Sequence, residues 1–261
     1  MKIQCFRFFA VILGVTISVT ACSKNEEDIS STERKCLVSK ISKGTKDNII
    51  QIRLYDDESR ILNIENYEEQ GDLRLSSHHY NYEQDKITVL NTDFRTDYSW
   101  SSIYKLQNGL AVEMKETKAP DNLLEYERTQ NWSYNNNGIA WSESISDHRF
   151  NGNYTTILSE HTIEDLNIIK SVRSLIINAS LYQDTTYYMY DKTLLNKQNT
   201  GESFLGKEST NLISKIEDMD TKDVVNYSYI LNDDGYIEEE IVEYPDGEII
   251  KTFYEYTCAD L

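Results

Sequence analysis

The chain is poor in residues that interrupt regular structure. It has two prolines and ten glycines in 261 residues, so few breakers separate its extended segments. It is also poor in positive charge. Lys and Arg number 26 against 44 Asp and Glu, for a formal net charge of −18, which makes nucleic acid and anionic membrane surfaces unsuitable partners. Long apolar runs are scarce as well, with a mean hydropathy of −0.57. The main one, Phe8 to Ala21, falls short of the ~20 residues that cross a hydrocarbon core as a helix. A glycine-rich phosphate cradle is absent in both of its usual forms.

That apolar run follows Lys2 and Arg7 and ends Val19-Thr20-Ala21-Cys22. A basic head, an apolar stretch and a small residue before a cleavage point are the three parts of a secretion signal. The cysteine directly after the small residue resembles the lipobox of bacterial lipoproteins, which implies that residues 1–21 are removed and Cys22 is acylated. Residues 22–35, beginning Cys22-Ser23-Lys24-Asn25-Glu26-Glu27-Asp28, are polar and aperiodic and read as a solvated tether. Their acidic start resembles the export tag of surface-exposed lipoproteins in Bacteroidetes-type bacteria, with the periplasmic face as the alternative address. Losing Lys2 and Arg7 takes the net charge from −18 to −20.

What the chain has in abundance is tyrosine, 19 residues, together with Thr, Ile and Val that suit a pleated, half-buried surface. About 240 residues remain after the leader, and with no second break in composition residues 36–261 read as one β-rich domain. Cys36 and Cys258 lie near its two ends. An oxidising compartment permits a disulfide between them, closing nearly the whole domain into one loop, and two separate half-buried thiols are the alternative.

A loose unit recurs along this domain: a bulky pair at i and i+2, a polar turn, then an isoleucine opening the next strand. Tyr80-Asn81-Tyr82 leads to Ile87, Trp132-Ser133-Tyr134 to Ile139, and Tyr227-Ser228-Tyr229 to Ile237; Ile52-Arg53-Leu54-Tyr55 leads to Ile61. Spacing of i, i+2 puts both large side chains on one strand face, and Asx-rich turns supply the left-handed positions of tight hairpins. The last three strands read as Val224–Leu231, Tyr236–Tyr244 and Glu248–Cys258, with Ile250, Thr252, Tyr254, Tyr256 and Cys258 sharing a face. Thr162-Ile163-Glu164-Asp165 has the form of a helix start, although Ile168 to Ile177 fits a strand equally well. Residues 191–214 read as loop or short helix, broken at Gly201 and Gly206. The region from Asp93 to Thr129 departs from clean repeat spacing.

These hairpins resemble degenerate YD-type repeats. With the lipobox, the Tyr187-Tyr188-Met189-Tyr190-Asp191 strand end, the segment Leu205-Gly206-Lys207-Glu208-Ser209-Thr210-Asn211-Leu212-Ile213 and the closing Tyr254-Glu255-Tyr256-Thr257-Cys258, most of the domain is similar to an uncharacterised family of Bacteroidetes lipoproteins described as porin-like. The resemblance implies fold and location, and it brings no catalytic residues. The strands are too polar for a continuous lipid-facing band.

Candidate chemistry is thin. His78 and His79 are adjacent on a strand and point to opposite faces, and His148 and His161 lack companions at ligand spacing, so no metal or cofactor is expected. Gly201-Glu202-Ser203-Phe204-Leu205-Gly206 misses a nucleophile elbow at its second glycine and reads as a loop. Asn232-Asp233-Asp234-Gly235 before Glu238, Glu239 and Glu240 lacks the alternate spacing of a calcium loop and reads as a hairpin turn. Trp100, Trp132 and Trp141 are candidates for an aromatic face on which a sugar or peptide stacks; cross-strand packing is the competing role. Asp184-Thr185-Thr186 resembles a short O-glycosylation acceptor, at Thr185.

The expected protein is all-β: an antiparallel meander curled into a barrel-like or open cylinder, with a short helical or loop insertion around 160–214. The expected role is a non-catalytic outer-membrane surface lipoprotein, lipid-anchored at Cys22, that binds glycan or a protein through an aromatic sheet face. An assembly accessory contacting an outer-membrane protein through a sheet edge is the alternative, and a hydrolase comes third.

Overall fold

Asp56, Asn135 and Asn232 open three turns built in one way. In each, the backbone N–H of the Asx residue donates to the carbonyl four residues on, at 2.9, 3.0 and 2.9 Å. Its Oδ1 meanwhile accepts the N–H groups two and four residues on. The fourth turn residue is left-handed: Ser59 at φ 63°, Gly138 at 79° and Gly235 at 80°. The Asx side chain satisfies donors that the turn would otherwise strand, so a five-residue polar sequence suffices to reverse the chain.

The computed structural model describes residues 35–69, 73–118, 126–149, 154–177 and 180–259, together with the backbone of Phe6–Phe8, Val11–Ile12, Val15–Thr16 and Val19–Ala21. Cys22 and the rest of the expected tether to residue 34 lie outside the described residues, while residue 35, its expected end, already belongs to a strand. The domain is a closed barrel of sixteen strands: β1 (Lys35–Lys43), β2 (Ile49–Tyr55), β3 (Ile61–Tyr67), β4 (Arg74–Tyr82), β5 (Lys86–Asp93), β6 (Tyr98–Gln107), β7 (Leu110–Lys118), β8 (Tyr126–Tyr134), β9 (Ala140–Arg149), β10 (Tyr154–Glu164), β11 (Asn167–Ile177), β12 (Ser180–Leu195), β13 (Asn211–Asp218), β14 (Val224–Leu231), β15 (Ile237–Glu243) and β16 (Ile249–Ala259). Each strand pairs with its sequence neighbour, and β16 returns to β1. The seam is pinned by Gly44 N–H on the Lys251 carbonyl at 2.8 Å and by Lys40 on Glu255 at 2.6 Å. Closure removes both sheet edges.

The expected insertion is narrower than 160–214. Tyr154–Glu164, Asn167–Ile177 and Ser180–Leu195 are strands, and the Thr162 segment continues β10, because Thr162 pairs with Lys170 and Ile163 with Ile168 in the ladder. The period-2 pairing of β10 with β11 outweighs a local capping signal. Among the described residues of that span, 196–210 form the long segment that leaves the sheet. This strap departs and returns at a neck where Asn196 N–H donates to the Thr210 carbonyl at 2.8 Å. It reaches β1 through Asn199, whose carbonyl accepts from Val38 N–H at 3.1 Å, β2 through Arg53 on the Thr200 carbonyl at 2.9 Å, and the β8–β9 turn through Lys207 N–H on the Gly138 carbonyl at 2.8 Å. A segment touching such separated strands runs through the interior.

The strap defines which face is inside. Phe204, in a 3₁₀ turn at Ser203–Leu205, packs with Ile61, Ile64, Tyr80, Ile87, Val89 and Ala111 as the hydrophobic core. Ile61, Ile87 and Ala111 open β3, β5 and β7, so the core sits at one end of the barrel. Two glycines let the strap approach the wall. Gly201 has φ 76°, and a Cβ there would lie 2.4 Å from Tyr55 Cε1; Gly206 has φ 103°, with a Cβ 2.7 Å from Tyr134 Cε1.

Register then assigns the outer face. One circumferential row reads Leu54–Asn63–His79–Leu90–Ser101–Thr117. Another reads Asn131–Ser144–Leu158–Ser174–Gln183, and a third Lys215–Asn226–Glu243–Ile249. In each row isolated aliphatics stand among polar side chains: amide, imidazole and hydroxyl in the first, amide and hydroxyl in the second, amide and charged groups in the third. A lipid-facing barrel carries an unbroken apolar band ~25 Å tall, and these rows do not form one.

Candidate functional site

The repeat tyrosines point inward, and five inward tyrosines, Tyr55, Tyr134, Tyr190, Tyr229 and Tyr256, clip the strand before them. Tyr134 Oη donates to the Ala111 carbonyl at 2.9 Å, Tyr190 to Ile168 at 2.6 Å, Tyr229 to Ile213 at 2.8 Å and Tyr256 to Ile237 at 2.9 Å; Tyr55 bonds Val38 likewise. Several of the acceptors flank register shifts, where a ladder carbonyl needs another donor. Burial pushes the Tyr55, Tyr134 and Tyr256 phenols up to about 12, so they remain donors at neutral pH.

Above the core lies a polar layer. His78 Nδ1 meets Asn91 Oδ1 at 2.6 Å, Asn91 Nδ2 donates to Ser102 Oγ at 2.9 Å, and Ser102 Oγ donates to Glu116 Oε2 at 2.7 Å. Asn91, Ser102 and Glu116 are buried. The Ser102 hydroxyl is occupied by a carboxylate and an amide with no imidazole beside it, so the chain stiffens the wall and does not activate a nucleophile. Arg53 also faces inward and lies 3.4 Å from Glu202 of the strap, whose other oxygen accepts from Tyr80 Oη at 3.1 Å. Burial, first, and then the Glu202 charge hold the Tyr80 phenol far above its ordinary range.

The three tryptophans do not share a face. Trp100 and Trp132 are inside. Trp100 stacks on Tyr98 with centroids 5.7 Å apart and planes 16° off parallel, and Trp132 stacks on Tyr104 at 6.1 Å, against the core. Trp141 is 45% exposed beside the register shift where Ser133 and Tyr134 meet β9. The aromatic-rich face of the sheet is thus its inner face, with Tyr98 and Trp100 away from the strapped end. Thr185 lies on the outer face, paired with Val172. His79 pairs outward with Leu90 while His78 points in. The His148 side chain lies outside the described residues.

Glu238 and Glu239 are held by Lys46 at 2.6 Å and Lys251 at 2.7 Å, and Asn232 caps its own turn, so these residues form a hairpin and an ion-paired wall. Among the described residues, no group of three or more His, Cys, Asp or Glu is placed to hold a metal. Cys36 and Cys258 are each disulfide-bonded.

Sequence reasoning missed the strap's role. Its signal was the pair of glycines flanking one large apolar residue, Phe204, inside an otherwise polar loop.

Fold and interior together define a strapped, porin-like antiparallel barrel. No family model matches the chain, and no curated protein matches it. Among solved structures it is similar to a porin-like protein from Bacteroides vulgatus ATCC 8482, with a TM-score of 0.59 and 16% identity over 85% of this chain and 99% of that one. A porin-like protein from Bacteroides uniformis ATCC 8492 is similar with a TM-score of 0.56 and 14% identity, covering 84% of this chain and 98% of the other. At these identities the likeness is one of fold.

Proposed function

We propose that this protein is a non-catalytic, lipid-anchored barrel that stands beside the outer membrane, facing the cell exterior, and binds glycan on its inner wall. The observation that carries the reading is the Tyr98–Trp100 stack, an inward aromatic platform in a barrel strapped at its other end. Aromatic faces stack on the apolar faces of sugar rings while surrounding amides and hydroxyls meet their edges. The polar outer rows support a barrel held by Cys22 and not by lipid contact along its strands, since one residue bearing several acyl chains anchors lastingly. An assembly role through a sheet edge is less well supported, because closure leaves no edge free.

Two measurements test this. The chain from Ser23 onward, without lipid, should be monodisperse and β-folded without detergent; a requirement for detergent would refute the soluble-barrel reading. Titration of the same protein with an oligosaccharide panel should quench tryptophan emission and raise the melting temperature. Trp100→Ala should abolish both responses and leave the fold intact. A panel that moves neither signal in the unsubstituted protein rejects glycan binding.

A further inference from the structure

We propose that the inner wall around Glu240 is a binding site for a small organic cation, an alkylated ammonium group. It rests on residues separate from the Tyr98–Trp100 platform.

Glu240 faces inward in the row Tyr229–Glu240–Thr252. Its neighbours Glu238 and Glu239 each hold a lysine, whereas Glu240 pairs with no cation among the described residues. Tyr254 Oη donates to it at 3.3 Å. Burial raises its carboxyl above the ordinary glutamate range, and the Tyr254 bond opposes that only in part. The nearest lysine of the strap, Lys197, donates to the Asp234 carbonyl at 3.0 Å and lies over the Tyr236 ring, 5.9 Å from its centroid. Among the described residues, the Glu240 carboxylate is therefore left without a compensating charge.

What surrounds that charge is aromatic. Tyr227 and Tyr229 precede it on β14, and Tyr254 and Tyr256 follow it on β16. The hydroxyls of Tyr229 and Tyr256 are committed to the Ile213 and Ile237 carbonyls, which leaves their rings, not their oxygens, as the surface presented to an occupant. The Gln198 side chain of the strap lies against the Tyr254 and Tyr256 hydroxyls.

A carboxylate among tyrosine rings matches the chemistry of an ammonium group. The charge is met by Glu240, and the alkyl shell by ring faces through cation–π attraction. A divalent metal fits poorly, since it needs several hard oxygen ligands and only one carboxylate is here. A neutral sugar gains little from an unpaired charge.

The test uses the full mature chain with its cysteines oxidised, titrated with tetramethylammonium chloride and choline chloride against sodium chloride at matched ionic strength. Calorimetry should show saturable binding of the ammonium salts alone, with a rise in melting temperature. Glu240→Gln keeps an acceptor for Tyr254 and removes the charge. It should weaken binding by at least roughly tenfold while the protein still melts cooperatively. Tyr227→Leu should also weaken binding, and Tyr227→Phe should not. Equal responses to sodium and ammonium, no binding by the unsubstituted chain, or undiminished binding by Glu240→Gln would each overturn the proposal.

Discussion

The Phe204 ring meets the Tyr104 ring edge to face, with centroids 5.2 Å apart at 75°. One residue of an irregular strap and one of a regular strand, 100 positions apart, thereby join the two parts of the fold that sequence periodicity treats separately. Phe204 is 6% exposed, so its removal should leave a cavity in the main core. Phe204→Ala is expected to cost about 3–5 kcal/mol, read as a shift of the urea midpoint with an unchanged slope. Gly201→Ala should also destabilise, because the new Cβ meets Tyr55 at 2.4 Å in a left-handed backbone; it should lower the melting temperature where Gly44→Ala, with open space around it, lowers it less.

Tyrosine clips make a second prediction. Tyr229→Phe deletes the donor to the Ile213 carbonyl and should cost roughly 1–2 kcal/mol, the range for losing a half-buried hydrogen bond and stranding its acceptor. Tyr187, on the outer face opposite Glu217, makes no such bond. Tyr187→Phe should stay within about 0.5 kcal/mol of the unsubstituted protein. Equal effects at the two positions would show that the inward hydroxyls carry no special role.

Glu240 predicts the sign of a pH effect. Burial raises its folded-state carboxyl above the ordinary 4.5 of a glutamate, with Tyr227, Tyr229, Tyr254 and Tyr256 facing it and, among the described residues, no cation paired with it. A raised acid binds its proton more tightly when folded. Its ionisation therefore opposes folding at neutral pH, and the penalty is relieved as pH falls through the folded pKa towards 4.5. Glu240→Gln should melt higher than the unsubstituted protein at pH 7, and the difference should shrink as the pH is lowered to 5. A difference that grows on acidification would reverse the assignment.

Cys36 and Cys258 are both disulfide-bonded, and we propose that they bond each other at the seam ends of β1 and β16. Non-reducing peptide mapping should recover the two cysteines in one linked species. Reduction should lower stability by up to roughly 5 kcal/mol, the chain-entropy value for so long a loop. Recovery of two free thiols would end the idea.

Much of the barrel was legible before the structure. The units from Tyr80 to Ile87, Trp132 to Ile139 and Tyr227 to Ile237 are readable because alternation and Asx turns are local: neighbours within a few residues dictate them. The last three strands fall within a residue or two of their expected bounds. The stretch from Asp93 to Thr129 was harder to read. There a register shift at Lys105 and Leu106 and the two-residue turn Asn108–Gly109 replace the longer turn of the other units.

The candidate site was legible in composition but not in placement. Sequence marks Trp100, Trp132 and the tyrosines as belonging to sheet faces, and it shows which of them share a face. It does not say which face turns inward, because that follows from closure of β16 on β1 and from a strap bonded across 122 and 147 positions of sequence, at Tyr80–Glu202 and Arg53–Thr200.

By itself, then, the sequence determined strands, turns, the acidic polar exterior and the alternation within each strand, all properties of short-range sterics and solvation. Only the tertiary structure decided that the meander closes, that residues 196–210 cross its interior, and that Glu240 alone of three consecutive glutamates faces inward without a lysine. Those outcomes depend on distant groups competing for one enclosed space, and periodicity along the chain carries no record of that competition.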